Sequence, residues 1–143
     1  MTDISNEDIN VSTWKIPSPL GIIGSHAEGK FNGMTASWIT QVSMEPALIG
    51  VGIDNKSVTF DLMNRSDYFT LNMFSPEYTK VFVKFSKPAE YLEGFLNKEP
   101  ITLTKNTVPI FDNATVWFEL KTNQKINLGT HTFFIGEIID CKT

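Results

Sequence analysis

Residues 54–59, Asp-Asn-Lys-Ser-Val-Thr, form a turn between an apolar strand pattern and a helical pattern, and they carry a lysine and two hydroxyl side chains. The first amides of a helix lack partners within it, and the helix dipole makes that end electropositive. Lys56 adds a positive charge, and Ser57 and Thr59 add hydroxyl donors, so the segment suits a phosphate monoester. The alternative is an ordinary helix N-cap, made by Asn55 or Ser57, beside a solvated lysine.

A second candidate lies earlier, where Thr35-Ala36-Ser37 places small side chains at the start of a strand pattern. Small side chains let a flat ligand approach the backbone, and hydroxyls can reach its phosphate or carbonyl oxygens. Gly50 and Gly52 leave one face of the next strand bare, which fits a ligand, a barrel bend or close backbone packing. Trp38 is suited to cover an aromatic ligand. The alternative for Trp38 is a place in the core, and the alternative for Thr35 and Ser37 is the polar face of an ordinary strand.

Other site chemistries find little support in the sequence. Residues 24–30 have the GxxxxGK spacing of a phosphate-binding loop, but Phe31 stands where that loop needs Ser or Thr, and a strand pattern follows instead of a helix. The histidines are His26 and His131 and the single cysteine is Cys141, so we expect no metal site. No GxSxG motif is present. Both histidines are therefore first expected to be structural.

Composition limits the class of protein. The chain has 143 residues, of which 41% are hydrophobic, and we expect one domain over residues 1–143. Its net charge of -4 and the lack of a run of Lys and Arg argue against nucleic acid as a partner. The polar N-terminus is unlike a signal peptide, and the longest apolar stretch, residues 47–53, is too short to span a membrane. We therefore expect a cytoplasmic protein with no membrane partner.

Hydrophobic periodicity predicts a mainly β fold, a β-barrel with peripheral helices. Strands are expected over residues 21–25, 34–43, 48–53, 69–73, 115–120 and 130–139, with a connecting loop over 27–33. One helix is expected over 57–64. A second is expected after Ser75-Pro76, because Tyr78, Val81, Phe82 and Phe85 recur at helical spacing. Residues 87–100 are expected to form a loop with a helical turn.

Taken together, residues 32–74 closely resemble the flavin reductase-like family, whose fold is an FMN-binding split β-barrel. The matching features are the strand Met-Thr-Ala-Ser-Trp at 34–38, the step Val-Ser-x-x-Pro at 42–46, the Ser/Thr-bearing turn and helix, and Phe-x-Leu-Asn at 69–72. Residues 129–140 resemble the family's Gly-x-His-x-x-Phe-x-Gly-Glu segment, and Phe85-Ser86 is a weaker match. The resemblance covers most of the chain from Gly21 to Asp140.

This resemblance implies an oxidoreductase that transfers hydride from NADH or NADPH to flavin, and a homodimer with the flavin near the subunit interface. The implied cofactor is FMN, with FAD possible, because one phosphate segment and no adenine pocket are visible. His131 matches a histidine that lies near the flavin and the nicotinamide, so it is the implied catalytic residue. The implied flavin-binding residues are Thr35, Ala36, Ser37 and Trp38, then Gln41, Val42 and Ser43 along the ring, and Lys56, Ser57 and Thr59 on the phosphate side.

Two departures from the family keep an alternative open. The chain ends soon after Gly136-Glu137, whereas many relatives continue with a further strand, so part of the pocket or dimer surface is expected to be absent or differently built. The sequence also has no GxGxxG fingerprint for a nicotinamide dinucleotide. The alternative is a non-catalytic FMN-binding electron-transfer protein that accepts electrons from a redox protein or serves a flavin-dependent partner.

Overall fold

The computed structural model describes residues 3–143, and within them it has a seven-stranded antiparallel sheet, a four-stranded sheet and three α-helices. The helices are α1 (Asn6–Thr13), α2 (Val58–Asn64) and α3 (Lys80–Lys84), with a 3-10 turn at Pro76–Tyr78. The strands are β1 (Gly21–Ala27), β2 (Lys30–Ala36), β3 (Ile39–Met44), β4 (Ala47–Asp54), β5 (Tyr68–Met73), β6 (Tyr91–Leu92), β7 (Phe95–Leu96), β8 (Glu99–Leu103), β9 (Pro109–Phe111), β10 (Val116–Asn127) and β11 (His131–Lys142).

The large sheet curls into a barrel. Its strand order is β2-β1-β5-β10-β11-β4-β3, so its two edge strands are consecutive in the chain. Only Ser37 and Trp38 join them, and the three Cα–Cα steps from Ala36 to Ile39 span at most about 11 Å. The edges must therefore lie close together, which leaves a seam at Ser37-Trp38. The expected mainly β fold, a split barrel with peripheral helices, is confirmed.

Two sequence predictions, one at each end of β2, were wrong. Residues 27–33 form a tight hairpin between β1 and β2 instead of a long loop, because Glu28 and Gly29 both adopt positive φ angles, 51° and 80°. Positive φ at both central residues is the turn that matches the twist of paired strands. The single strand expected over 34–43 is broken at Ser37-Trp38, where the chain passes from one edge of the sheet to the other.

The barrel is filled by apolar side chains from strands on its inner face. Phe69, Leu120 and Phe134 are fully buried at its centre. A second cluster packs α3 against β1 and β9, and it includes Val81, Phe85 and Phe111. The helical spacing of Tyr78, Val81, Phe82 and Phe85 is therefore confirmed as a core-facing stripe, although the structure divides it between the 3-10 turn and α3.

Two further segments differ from the sequence predictions. Residues 6–13 form α1, which was not predicted, and the Ser5 hydroxyl caps it by accepting from the Asp8 amide at 3.1 Å. Residues 91–96 form the β6–β7 hairpin instead of a helical turn. Between residues 3 and 143, no helix is both long and apolar enough to cross a membrane.

Candidate functional site

A cleft of about 670 Å³ opens at the barrel seam, and its size falls within the range of small-molecule sites. We call it the Trp38 cleft. It is lined by residues 16–19 from the segment before β1, the seam residues 37–40, Gly52 of β4, and residues 128, 130, 131 and 133 around the start of β11. The pairing of β4 with both β3 and β11 therefore brings together Ser37, Trp38 and His131, three of the predicted site residues.

The rings of Trp38 and His131 form one wall of this cleft. Their centroids are 4.3 Å apart, and their planes are inclined by 48°. The Thr130 hydroxyl and His131 Nδ1 share a hydrogen bond of 2.9 Å, which fixes the orientation of the imidazole. His131 Nε2 has no hydrogen-bond partner among residues 3–143, so it can face a ligand. Trp38 is 57% exposed, which leaves its indole available for contact.

The bare strand face expected at Gly50 and Gly52 is covered by the protein's own aromatic rings. A Cβ at Gly50 would overlap the ring of Phe133, and one at Gly52 would lie 3.2 Å from the Trp38 ring. The Gly52 amide also donates to the Trp38 carbonyl at 2.8 Å. The two glycines therefore let the rings of Trp38 and Phe133 pack closely against β4. They shape the cleft wall indirectly.

A smaller cleft of about 250 Å³ lies at the start of α2, and we call it the Ser57 cleft. Lys56, Ser57 and Val58 line one side, and Asn32 and Met34 of β2 line another. The residues that follow α3, Ser86-Lys87-Pro88, complete it. Sequence reasoning missed Asn32 and Lys87 here. The Phe85-Ser86 match was the available signal for this second loop.

The start of α2 combines an N-cap with free donors. The Ser57 hydroxyl accepts from the Phe60 amide at 3.0 Å and donates to the Asp54 carbonyl at 2.8 Å. The Ser57 amide is also paired with the Asp54 carbonyl, at 3.0 Å. No hydrogen bond within residues 3–143 engages the amides of Val58 and Thr59, which belong to the first turn and cannot pair inside the helix. Those two amides, with the exposed Lys56, form a donor set suited to an anion.

The Thr59 side chain lies behind this cleft. Thr59 is fully buried, and its hydroxyl accepts from Asn32 Nδ2 at 2.9 Å. Asn32 Oδ1 in turn accepts from the Ala89 amide at 2.7 Å. This buried chain of bonds joins α2, β2 and the segment after α3. In this structure Thr59 therefore positions Asn32 and does not open onto the cleft.

Other predicted residues lie outside both clefts. The Thr35 hydroxyl donates to the Phe82 carbonyl at 2.7 Å, and its amide donates to the Phe85 carbonyl at 3.0 Å, so Thr35 ties β2 to α3. Ala36 is buried in the barrel core. Gln41, Val42 and Ser43 lie farther along the edge strand β3, at an irregularity in its pairing with β4. The structure thus separates these residues from the five that line the clefts: Ser37, Trp38, Lys56, Ser57 and His131.

The remaining titratable candidates lie elsewhere. His26 Nε2 accepts from the Gly29 amide at 3.1 Å in the β1–β2 hairpin, and its ring lies 4.6 Å from that of Phe31. Partial burial lowers the pKa of His26 below its usual 6.5. Within residues 3–143, no three His, Cys, Asp or Glu side chains are grouped to hold a metal ion. His26 therefore has a local structural contact, apart from both clefts.

A closed antiparallel sheet with a cleft at its seam defines the class of split β-barrels. The model of the flavin reductase like domain matches residues 13–143, and the chain belongs to this family. Among curated relatives, the stachydrine N-demethylase reductase subunit Stc3 of Rhizobium meliloti is 28% identical over 122 residues, which cover 85% of this chain and 52% of that protein. A protein of the same organism named "Probable flavin reductase" is 29% identical over 117 residues, covering 82% of this chain and 37% of that protein.

The fold is also found among solved structures. An FMN-binding protein from Thermus thermophilus, crystallised with 1-cyclohex-2-enone, superposes with a TM-score of 0.80 at 22% identity, over 90% of this chain and 72% of that one. This likeness shows a shared fold. The chain spans about half the length of Stc3, and less of the second R. meliloti relative.

The residues present fit a flavin. The Trp38 cleft offers an aromatic wall and the small Ser37 side chain, which suit a flat ring system. The Ser57 cleft offers unpaired amides and a lysine, which suit a phosphate. Gly52 of β4 lines the Trp38 cleft, and residues 56–58, which follow β4, line the Ser57 cleft.

Proposed function

We propose that this protein is an NAD(P)H-dependent flavin reductase. The observation that carries the proposal is the Trp38 cleft, which joins Ser37, Trp38 and His131 in a chain of the flavin reductase like family. Bound flavin would supply the redox chemistry, accepting a hydride from NADH or NADPH and passing the electrons on. The chain's own residues then need only bind, orient and shield the reactants. No protein base is needed for hydride transfer to the flavin.

The proposed roles divide between the two clefts. Ser37 and Trp38 contact the ring system, and Lys56, Ser57 and the first amides of α2 hold the phosphate. His131 offers Nε2 to the nicotinamide side, held by Thr130 through Nδ1. Thr35, Ala36 and Thr59 support these residues from behind, since their side chains are bonded or buried. Gln41, Val42 and Ser43 lie along edge strand β3, where a ligand extending past the seam would meet them.

We further propose that the protein acts as a homodimer. Ile16, Trp38 and Leu128 line the Trp38 cleft and are 64%, 57% and 69% exposed, and Met44 on edge strand β3 is 85% exposed. Large apolar side chains grouped in this way mark an interaction surface, and a twofold pairing would cover them. Native mass spectrometry is expected to give twice the 16.1 kDa chain mass. A monomer at concentrations where the flavin is bound would contradict this.

Electrons leaving the flavin are proposed to pass to a flavin-dependent or redox partner protein, because Stc3 is named as the reductase subunit of a demethylase. The second candidate function is a non-catalytic FMN-binding electron carrier. One feature favours this electron carrier: the sequence lacks a nicotinamide-dinucleotide fingerprint.

Anaerobic mixing of the purified protein with flavin and either NADH or NADPH separates these candidates. Loss of the nicotinamide absorbance band above the rate without protein supports the reductase. Tight retention of FMN with no nicotinamide oxidation, but reversible reduction by a redox protein, supports the carrier. A protein that binds no flavin contradicts both.

A further inference from the structure

The turn that carries His131 is held from outside by Asn55, which follows β4. Residues 128–130 form this turn, and His131 comes next as the first residue of β11. Asn55 is bonded to residues on both sides of His131. Its backbone amide donates to the Thr130 carbonyl at 3.0 Å, its Nδ2 donates to the Gly129 carbonyl at 2.8 Å, and its Oδ1 accepts from the Thr132 hydroxyl at 2.6 Å.

The turn has few bonds of its own. The Leu128 amide donates to the His131 carbonyl at 2.9 Å, and the Gly129 amide donates to Asn127 Oδ1 at 3.0 Å. Gly129 has a φ of 125°, and glycine loses more conformational freedom on folding than any other residue. Leu128 is 69% exposed, so its side chain does little to hold the turn in place. The bonds from Asn55 therefore fix the direction in which the chain enters His131.

The side-chain bonds of Asn55 match an amide group. The Gly129 carbonyl can only accept, so its partner must be an N–H donor, while the other end of the Asn55 side chain accepts from Thr132. Thr132 is buried, and a buried hydroxyl needs a partner within the protein. The N-cap of α2 is Ser57, not Asn55, which leaves the Asn55 side chain free to make these bonds.

Asn55 also stands between the two clefts along the chain. Asp54, the residue before it, pairs with His131 where β4 meets β11. Lys56 and Ser57, the residues after it, line the Ser57 cleft. One residue therefore links the backbone of the proposed phosphate site to the turn that carries the proposed catalytic histidine. Sequence reasoning missed this role, because residues 129–132 are distant from Asn55 in the chain.

We propose that Asn55 is a positioning residue for His131. It holds the turn at residues 128–130 so that the imidazole stays packed on Trp38 at the Trp38 cleft, and it acts without touching flavin or nicotinamide. This inference rests on the proposed function, in which His131 serves the nicotinamide side. Small displacements of a reacting group are costly to rate, so loss of Asn55 should affect turnover through His131.

A double-mutant cycle on kcat/KM for NADH or NADPH, measured anaerobically, tests this dependence. Asn55→Ala removes the two side-chain bonds and keeps the backbone bond to Thr130, so the protein should still fold. We expect kcat/KM to fall about fivefold, less than the effect of removing the His131 nitrogen itself. Asn55→Ala/His131→Phe should be no slower than His131→Phe alone, because both changes act through one residue. Flavin affinity should stay within about threefold of wild type.

Asn106→Ala is the matched control for the loss of an asparagine side chain. Asn106 Nδ2 donates to Glu119 at 3.2 Å, and Asn106 lines neither the Trp38 cleft nor the Ser57 cleft. This variant should lower the unfolding temperature and leave kcat/KM unchanged. The inference is overturned if Asn55→Ala slows the wild type and His131→Phe by the same factor. It is also overturned if weaker flavin binding accounts for the whole loss.

Nuclear magnetic resonance of the imidazole rings gives a readout that does not depend on activity. The sequence has two histidines, His26 and His131, so the untagged protein gives two ring signals, which His26→Phe and His131→Phe assign. Asn55→Ala should shift or broaden the His131 signal and leave the His26 signal in place. An unchanged His131 signal would overturn the inference. If the wild type oxidises neither nicotinamide donor, the proposed function fails, and the His131 signal still decides whether Asn55 positions that ring.

Discussion

The ring of His131 lies 4.3 Å from the ring of Trp38, and the two rings meet over β4. The two residues are far apart in sequence, and β4 lies between them in the sheet, with Gly52 bonded to the Trp38 carbonyl at 2.8 Å. Gly52 allows this approach because a side chain there would press on the indole. The aromatic wall of the Trp38 cleft thus depends on the pairing of β4 with β3 and β11 and on one glycine.

Replacing His131 with Phe should preserve ring packing on Trp38 and remove the nitrogen proposed to face the nicotinamide. We expect kcat/KM for NADH or NADPH to fall about tenfold, the equivalent of one hydrogen bond of about 1.4 kcal/mol. Flavin affinity, measured by fluorescence titration, should hardly change. His26→Phe is the matched control, because His26 lies in the β1–β2 hairpin. Equal kcat/KM for the two variants would remove His131 from the reaction.

Ser37→Leu should abolish flavin binding while the protein still folds. The larger side chain would enter the Trp38 cleft at the seam, where a flat ring needs close approach to the backbone. Flavin fluorescence quenching measures the loss, and circular dichroism with thermal unfolding checks the fold. Ser37→Ala, which keeps the space open, should bind flavin. Wild-type affinity in the leucine variant would place the ring elsewhere.

Thr59→Val tests whether Thr59 acts through Asn32 or touches the phosphate itself. Losing the acceptor leaves the buried Asn32 amide without its bond of 2.9 Å, which should lower the free energy of unfolding by about 1–3 kcal/mol. Flavin affinity should stay within about threefold of wild type. Thr59→Ser, which keeps a hydroxyl, is the control for stability. A valine variant of wild-type stability with strongly weakened flavin binding would make Thr59 a direct ligand.

The stability of the protein should depend on His26 in mildly acidic solution. Burial lowers the pKa of His26 in the folded state below the value of 6.5 expected when unfolded, and Nε2 accepts from the Gly29 amide in its neutral form. The unfolded chain therefore takes up the proton first as the pH falls. The stabilisation is present above pH 6.5 and is lost as the pH drops towards the folded-state pKa.

Denaturant unfolding of the wild type and His26→Phe, at pH values from about 5 to 8, measures this effect. We expect the free energy of unfolding of the wild type to fall more steeply below pH 6.5 than that of the variant. Parallel pH profiles for the two proteins would show that His26 titrates alike in the folded and unfolded states.

Local patterns in the sequence predicted much of the barrel. Alternating apolar residues gave the central strands, and the spacing of Tyr78, Val81, Phe82 and Phe85 gave the stripe that packs α3 on the core. Periodicity could not predict the break at Ser37-Trp38, because residues 34–43 have the alternating pattern of side chains that one continuous strand would have. The break follows from barrel closure, which depends on the pairing of distant strands.

The residues of the candidate site also divide into those that a local sequence pattern predicts and those whose position depends on tertiary packing. Lys56 and Ser57 were identified from a local turn and helix start, and the structure places them at a cleft. Thr59 has the same hydroxyl chemistry, but its orientation on α2 turns it inwards to Asn32, and only tertiary packing decides that.

Anaerobic absorbance spectroscopy with flavin present tests the proposed reductase activity most directly. On addition of NADH or NADPH, we expect the nicotinamide band and the oxidised-flavin band to fall together, with one equivalent of nicotinamide consumed for each flavin reduced. The rate should exceed that of the same mixture without protein, and His131→Phe should slow it. If neither donor is oxidised faster than in the protein-free mixture while flavin remains bound, the protein is not a flavin reductase.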